Sequence, residues 1–145
     1  MDRMKDLVRI DLERVSTLRY ECHGWVARPS GYGGGIIRFD GDYRPGSAGA
    51  DDALFIGWKI GEFCDIDDPF KIQGLVVDFR GLNYEWGDNL SLFRARRLRA
   101  AGRPVLVVVR PESKDAFAGC LGEDDLRIDI EQATQEVDDF LRKLR

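Results

Sequence analysis

Histidine is nearly absent: the one residue is His23, and the three cysteines, Cys22, Cys64 and Cys120, lie far apart. An odd count without a Cys-x-x-Cys pair fits neither a disulfide framework nor a Cys/His zinc site, so no metal and no cofactor is expected. Reduced thiols place the protein in the cytoplasm. Long apolar runs are also missing. The longest, Pro104 to Val109, is far too short to span a bilayer, and Met1 to Asp6 hold no apolar signal core. Positive charge is not in excess either. The formal net charge of −4 repels a phosphate backbone and speaks against general nucleic-acid binding. It suits a basic protein partner. Internal repeats and low-complexity tracts do not occur.

What is present is a globular composition, 43% apolar and 33% charged over 145 residues. That length fits one domain, residues 1 to 145, able to bury roughly 70% of the surface its unfolded chain exposes. Residues 6 to 28 alternate irregularly, with Leu7, Val8, Ile10, Leu12, Val15 and Leu18 compatible with the start of a strand or a short helix. Tyr20 to Ala27 and Gly35 to Phe39 read as two strands of a hairpin, joined by a flexible loop from Pro29 to Gly35. Gly31 to Gly35 precedes a strand, and no Walker lysine pattern follows, so it is not a phosphate cradle. Cys22 and His23, adjacent in a strand, point to opposite faces, one to the core and one to solvent; they do not form a dyad.

Asp51 or Asp52 is placed to cap a helix that runs to about Phe63, with Gly57 and Gly61 letting it approach a sheet. Gly74 to Phe79 and Pro104 to Val109 are continuous apolar runs, the mark of strands covered on both faces. Asp88 or Asn89 would cap a helix between them that stops at Gly102. Strand, crossover helix and strand make a βαβ unit, so these two strands should be parallel. A short helix over Asp115 to Leu121, an edge strand over Leu126 to Ile130 and a helix over Glu131 to Leu144 complete the chain. In the last helix Ala133, Val137, Phe140, Leu141 and Leu144 share one face. The expected fold is α/β: a small mixed, largely parallel sheet with helices packed on it.

In open parallel sheets, sites gather outside the carboxyl ends of the strands. That directs attention to Asp78, at the end of a buried strand, and to the segment after it. Tyr84, Glu85, Trp86, Asp88 and Asn89 combine aromatic area with charge, a mix common where proteins bind one another. Tyr84 and Trp86 can alternatively plug the top of the core. A second, acidic face is expected around Glu123, Asp124 and Asp125. The arginines Arg94, Arg96, Arg97, Arg99 and Arg103 read as a solvated helix face with stems lying on apolar surface.

The run VVDFRGL followed by RRLRAAGRPVLVVV, and the tail LRIDIEQATQEVDDFLRKL, resemble the second half of a STAS domain, the fold of sulfate transporters and anti-sigma-factor antagonists. Regulatory members of that family carry a phosphorylatable serine at the start of the helix after the buried strand. Here Glu85-Trp86-Gly87 or Gly87-Asp88-Asn89 occupies that turn without a hydroxyl, and Asp88 supplies at most a fixed negative charge. The shorter stretch LVVDFRGLNYEWGDNL is similar to a strand and loop of the crotonase (enoyl-CoA hydratase) superfamily. That resemblance implies an oxyanion-binding N–H at Gly87 or Asp88, while RPESKDAFAGC stands where the family's acid/base segment is expected. The function expected from all of this is non-enzymatic: a module that binds and restrains a protein partner, as a STAS-like regulatory antagonist or a toxin-neutralising immunity protein. The alternative is a small crotonase-like enzyme or CoA-ligand-binding protein. A homo-oligomer is compatible with either.

Overall fold

The computed structural model describes residues 6–68, 71–84 and 90–144. Five strands form one mixed sheet in sequence order: β1 (Arg19–Val26), β2 (Gly33–Asp42), β3 (Ile72–Asn83), β4 (Val105–Val108) and β5 (Leu126–Arg127). The β1–β2 hairpin is antiparallel, and β2, β3, β4 and β5 are mutually parallel. The parallel pairing of Leu75–Asp78 with Val105–Val108 is the one the βαβ pattern calls for. The fold is α/β, as the sequence indicates.

Helices α1 (Gly46–Asp65), α2 (Arg96–Ala100) and α3 (Lys114–Leu121) are the three crossovers, and α4 (Ile130–Arg142) ends the chain. The strands are laid down in one direction across the sheet. Right-handed crossovers then place every connecting helix on the same face. Phe55, Ile56 and Ile60 of α1, Leu98 of α2 and Phe117 of α3 accordingly share one core with Ile37, Phe39, Leu75, Val77, Phe79, Val105 and Val107. Among the described residues the helix on the opposite face is α4, whose Ala133, Val137 and Leu141 cover Val76, Leu106 and Val108. A helix about 10 Å wide covers roughly two strands spaced ~4.8 Å apart, so one helix cannot cover five. The β1 end of that face stays open. Gly74 lets α4 sit close: a Cβ there would lie 2.6 Å from Cγ1 of Val137.

Several local expectations change. Helix α1 begins at Gly46, and neither Asp51 nor Asp52 caps it. Asp52 sits inside the helix, and its carboxylate reaches back to the backbone N–H of Arg44 (2.8 Å), the Arg44 guanidinium (2.7 Å) and the Ser16 hydroxyl (2.5 Å). Gly57 and Gly61 face the side chain of Arg94 rather than a sheet. The strand expected over Leu126 to Ile130 stops at Arg127, because Asp129 turns the chain into α4 by accepting the N–H groups of Glu131 (2.9 Å) and Gln132 (3.2 Å). The glycine loop is shorter than expected, since Gly33 to Gly35 already belong to β2. Neither Cys22 nor His23 is core: β1 is an edge strand, and both are exposed. The segment before β1 holds only a 3-10 turn, Leu12–Arg14. It is tied down by Glu13, whose carboxylate accepts from the buried Lys59 ammonium (2.5 Å). Among the described residues no helix is long and apolar enough to cross a membrane.

Candidate functional site

Strand β3 delivers its carboxyl end through a bulge. Arg38 pairs with Asp78 but Asp40 pairs with Gly81, so β3 carries one extra residue there. The extra residue switches which side chains face inward. Phe79, Leu82 and Tyr84 all enter the α1–α3 core. The Tyr84 ring lies 4.6 Å from Phe117 in a stack and 4.9 Å from Tyr43 edge-on, and its hydroxyl donates to Sγ of Cys120 (3.4 Å). At 4% exposure Tyr84 is a core plug, and the expectation that it faces a partner is corrected.

Beside this aromatic floor, Asn83 donates from Nδ2 to Asp42 (2.6 Å), and its carbonyl accepts the N–H of Tyr43 (3.0 Å). From the end of β4, Arg110 reaches across to the Leu82 carbonyl (3.4 Å) and Oδ1 of Asn83 (3.3 Å). Both bonds are long, and Nε of Arg110, which is buried, has no hydrogen-bond partner among the described residues; the Glu112 carboxylate is 3.8 Å away. Between these groups lies an open cleft of about 600 Å³, lined by Asn83, Tyr84, Arg110, Glu112, Ser113 and Ala116. It sits outside the carboxyl ends of two parallel strands. The Arg110 guanidinium at the cleft wall can take a carbonyl or carboxylate oxygen, and Glu112 can take a cation.

The other residues singled out from sequence are dispersed. Asp78 is 2% exposed and lies on the α4 side of the sheet, beside Val108 in register. Its two oxygens are taken up by Arg80, through Nε (3.0 Å), Nη2 (2.9 Å) and the backbone N–H (3.0 Å), a pair that also raises the Arg80 pKa. Asp78 and Tyr84 therefore serve opposite faces. Glu85, Trp86, Asp88 and Asn89 lie outside the described residues, as do the helix-capping role given to Asp88 or Asn89 and the oxyanion N–H given to Gly87 or Asp88. Glu123, Asp124 and Asp125 form the turn before β5, at the opposite end of the sheet from Tyr84. Glu123 and Asp124 are exposed, whereas Asp125 pairs with Arg99 (3.0 Å). Arginines of the cluster act structurally. Arg97 donates to the Cys64 carbonyl at the end of α1 (2.5 Å), and Arg103 lies 5.6 Å from the Tyr32 ring centroid.

Sequence reading missed Arg110 and a second concavity. Arg110 was discoverable as the first polar residue after a buried parallel strand. The second concavity, about 540 Å³, lies between β1 and α4 and includes Trp25, Ile130, Thr134 and Asp138. Trp25 lies flat over Gly34, and its indole N–H donates to Asp138 (3.0 Å). Nothing local in the sequence places residues 25 and 138 together.

Neither Cys22, on the exposed edge strand, nor the buried Cys64 is poised for nucleophilic chemistry. Partial desolvation of its sulfur, with Glu62 nearby, pushes Cys22 up to about 11, and burial, with Asp65 nearby, does the same for Cys64. Among the described residues no group of histidine, cysteine and carboxylate side chains is arranged to hold a metal ion. No protein family, curated protein or solved structure matches the chain.

Proposed function

We propose that this protein is a non-enzymatic module that binds and restrains a protein partner, as a STAS-like regulatory antagonist or a toxin-neutralising immunity protein does. The observation that carries the reading is the open cleft at the carboxyl ends of β3 and β4, whose wall at Tyr84 runs directly into residues 85–89. Tyr84 is locked between Tyr43 and Phe117, and Leu90 is buried. Trp86 supplies apolar area, Arg110 a guanidinium at the cleft wall, and Glu85, Asp88 and Glu112 select a basic partner. The order β3, α2, β4, α3, β5, α4 is the one the STAS resemblance implies, which supports the antagonist form of the reading.

The test is to isolate the partner by affinity capture from the source cells, purify it, and titrate it with the wild type and with Trp86→Ala and Arg110→Ala. Each substitution should weaken binding by about 2 kcal/mol, roughly thirty-fold, with the melting temperature unchanged. Full affinity in both variants would refute this placement of the interface.

A further inference from the structure

Strand β1 is the least protected element of the fold. Seven of its eight residues are exposed, its register with β2 runs unbroken from Arg19 to Val26, and neither a proline nor a bulge interrupts it. Natural edge strands normally carry such interruptions to prevent pairing with another chain. The side of β1 away from β2 has a definite hydrogen-bonding phase. The N–H of Ala27 donates to the Tyr32 carbonyl (2.8 Å), so Ala27 and Tyr32 are a hydrogen-bonded pair. Such pairs alternate along an antiparallel ladder, so Trp25, His23, Glu21 and Arg19 also bond to β2. The N–H and C=O groups of Tyr20, Cys22, Gly24 and Val26 point outward, and no backbone group of another described segment bonds to them.

We propose that β1 pairs with β1 of a second copy of this chain, antiparallel about a two-fold axis at Cys22, so that one sheet continues across both copies. The occupant follows from the phase and the charges of the strand. In a two-fold pairing, residues with outward-pointing groups must meet one another. Centring on Glu21 or His23 sets two like ionisable side chains directly opposite, which is unfavourable. Centring on Tyr20 or Gly24 leaves much of the strand unpaired. Centring on Cys22 uses nearly the whole strand and is self-complementary. It places Glu21 opposite His23 of the second copy, twice, on the exposed α4 side, and Arg19 opposite the Trp25 ring. This surface is the edge of the sheet, separate from the cleft at the ends of β3 and β4, and the inference does not depend on the proposed function.

Sedimentation velocity and light scattering of the wild-type chain should give a dimer. Glu21→Lys sets a lysine opposite His23 and should raise the dimer dissociation constant by roughly ten-fold or more. Adding His23→Glu to that variant restores an opposite-charge pair and should restore the dimer. Both positions are exposed, so the far-ultraviolet circular dichroism and the monomer fold should be unchanged. Cys22 reports the register independently. Opposed residues of a hydrogen-bonded pair have Cα atoms about 5.5 Å apart, within disulfide range. Copper–phenanthroline oxidation, which removes two electrons and two protons from each pair of thiols, should give a covalent dimer that Cys22→Ser abolishes. A chain that stays monomeric at its highest soluble concentration overturns the proposal. So does a dimer that is indifferent to Glu21→Lys and does not cross-link through Cys22.

Discussion

Replacing Asp52 by alanine should be among the most damaging single changes outside the apolar core. The residue is completely buried, and its carboxylate holds three pieces of chain together: α1 through its own backbone, the β2–α1 connection through Arg44, and the segment before β1 through Ser16. The same Arg44 guanidinium donates to the Val15 carbonyl (2.9 Å), so loss of the carboxylate loosens that contact as well. Breaking one partner of a buried ion pair costs about 3–5 kcal/mol. Arg44 is one-third exposed and can take water when freed, which puts its share at or below the lower end. The orphaned Ser16 hydroxyl adds about 1 kcal/mol. The expected loss is then about 3–4 kcal/mol, or roughly 10 °C in melting temperature for a domain of this size. Urea unfolding followed by tryptophan fluorescence measures it, and the m-value should stay constant if only stability changes. Asp52→Asn keeps the shape and part of the hydrogen bonding and should fall between wild type and alanine. A loss below about 1 kcal/mol for Asp52→Ala would refute the reasoning, because a fully buried, multiply bonded carboxylate cannot be that cheap to remove.

The pH dependence follows from the same group. Burial pushes the Asp52 pKa up, but the hydrogen bonds from Arg44 and Ser16 outweigh it and hold the carboxyl below its ordinary value. A lowered folded-state pKa gives stability that is present above the unfolded value of ~4 and is lost as pH falls through the folded one. Acid unfolding curves should show that loss in the wild type, and a smaller one in Asp52→Asn. Tyr84→Ala removes a stacked core ring and should cost about 3–5 kcal/mol in urea unfolding; a neutral result would return Tyr84 to the surface. With acyl-CoA thioesters or simple esters, a spectrophotometric assay should record no turnover above blank; reproducible activity lost on Asp88→Ala would favour the crotonase-like alternative.

The parts of the fold legible in the sequence were those set by local pattern. Gly74 to Phe79 and Pro104 to Val109 announce strands covered on both faces because no polar residue interrupts them until Asp78, and they are the adjacent interior strands β3 and β4. The stripe Ala133, Val137 and Leu141 announces the buried face of α4, although Phe140, counted in that stripe, is exposed because one helix on an open face has solvent along both flanks. What stayed hidden depends on register or on distant partners. With strict alternation from the inward-facing Phe79, residue 84 would face outward; the bulge adds one residue and turns Tyr84 inward. Asp52 looks like a helix cap until Ser16, far back in the chain, is seen to donate to it. Of the candidate site, the sequence pointed to the carboxyl ends of the parallel strands, where the cleft opens, but not to Arg110, whose only mark is that it is the first polar residue after a buried strand.

The two surfaces proposed for function arise from one feature of topology. Strands added in a single direction force all three crossover helices onto one face. That face is closed, and the carboxyl ends of β3 and β4 must open at the rim, where the cleft forms. Among the described residues the other face receives only α4, which settles where the apolar residues Val76, Leu106 and Val108 are. β1 then lies at the edge of the sheet, where, among the described residues, only Trp25 is half-buried and the other seven are exposed. Its outward backbone groups and its alternation of Arg19, Glu21, His23 and Trp25 on the open face are left to solvent or to another strand. A hairpin placed at the start of a one-directional sheet is thus the element the rest of the fold cannot protect, and a self-complementary charge pattern there is a sequence-level means of giving that edge a single, specified neighbour.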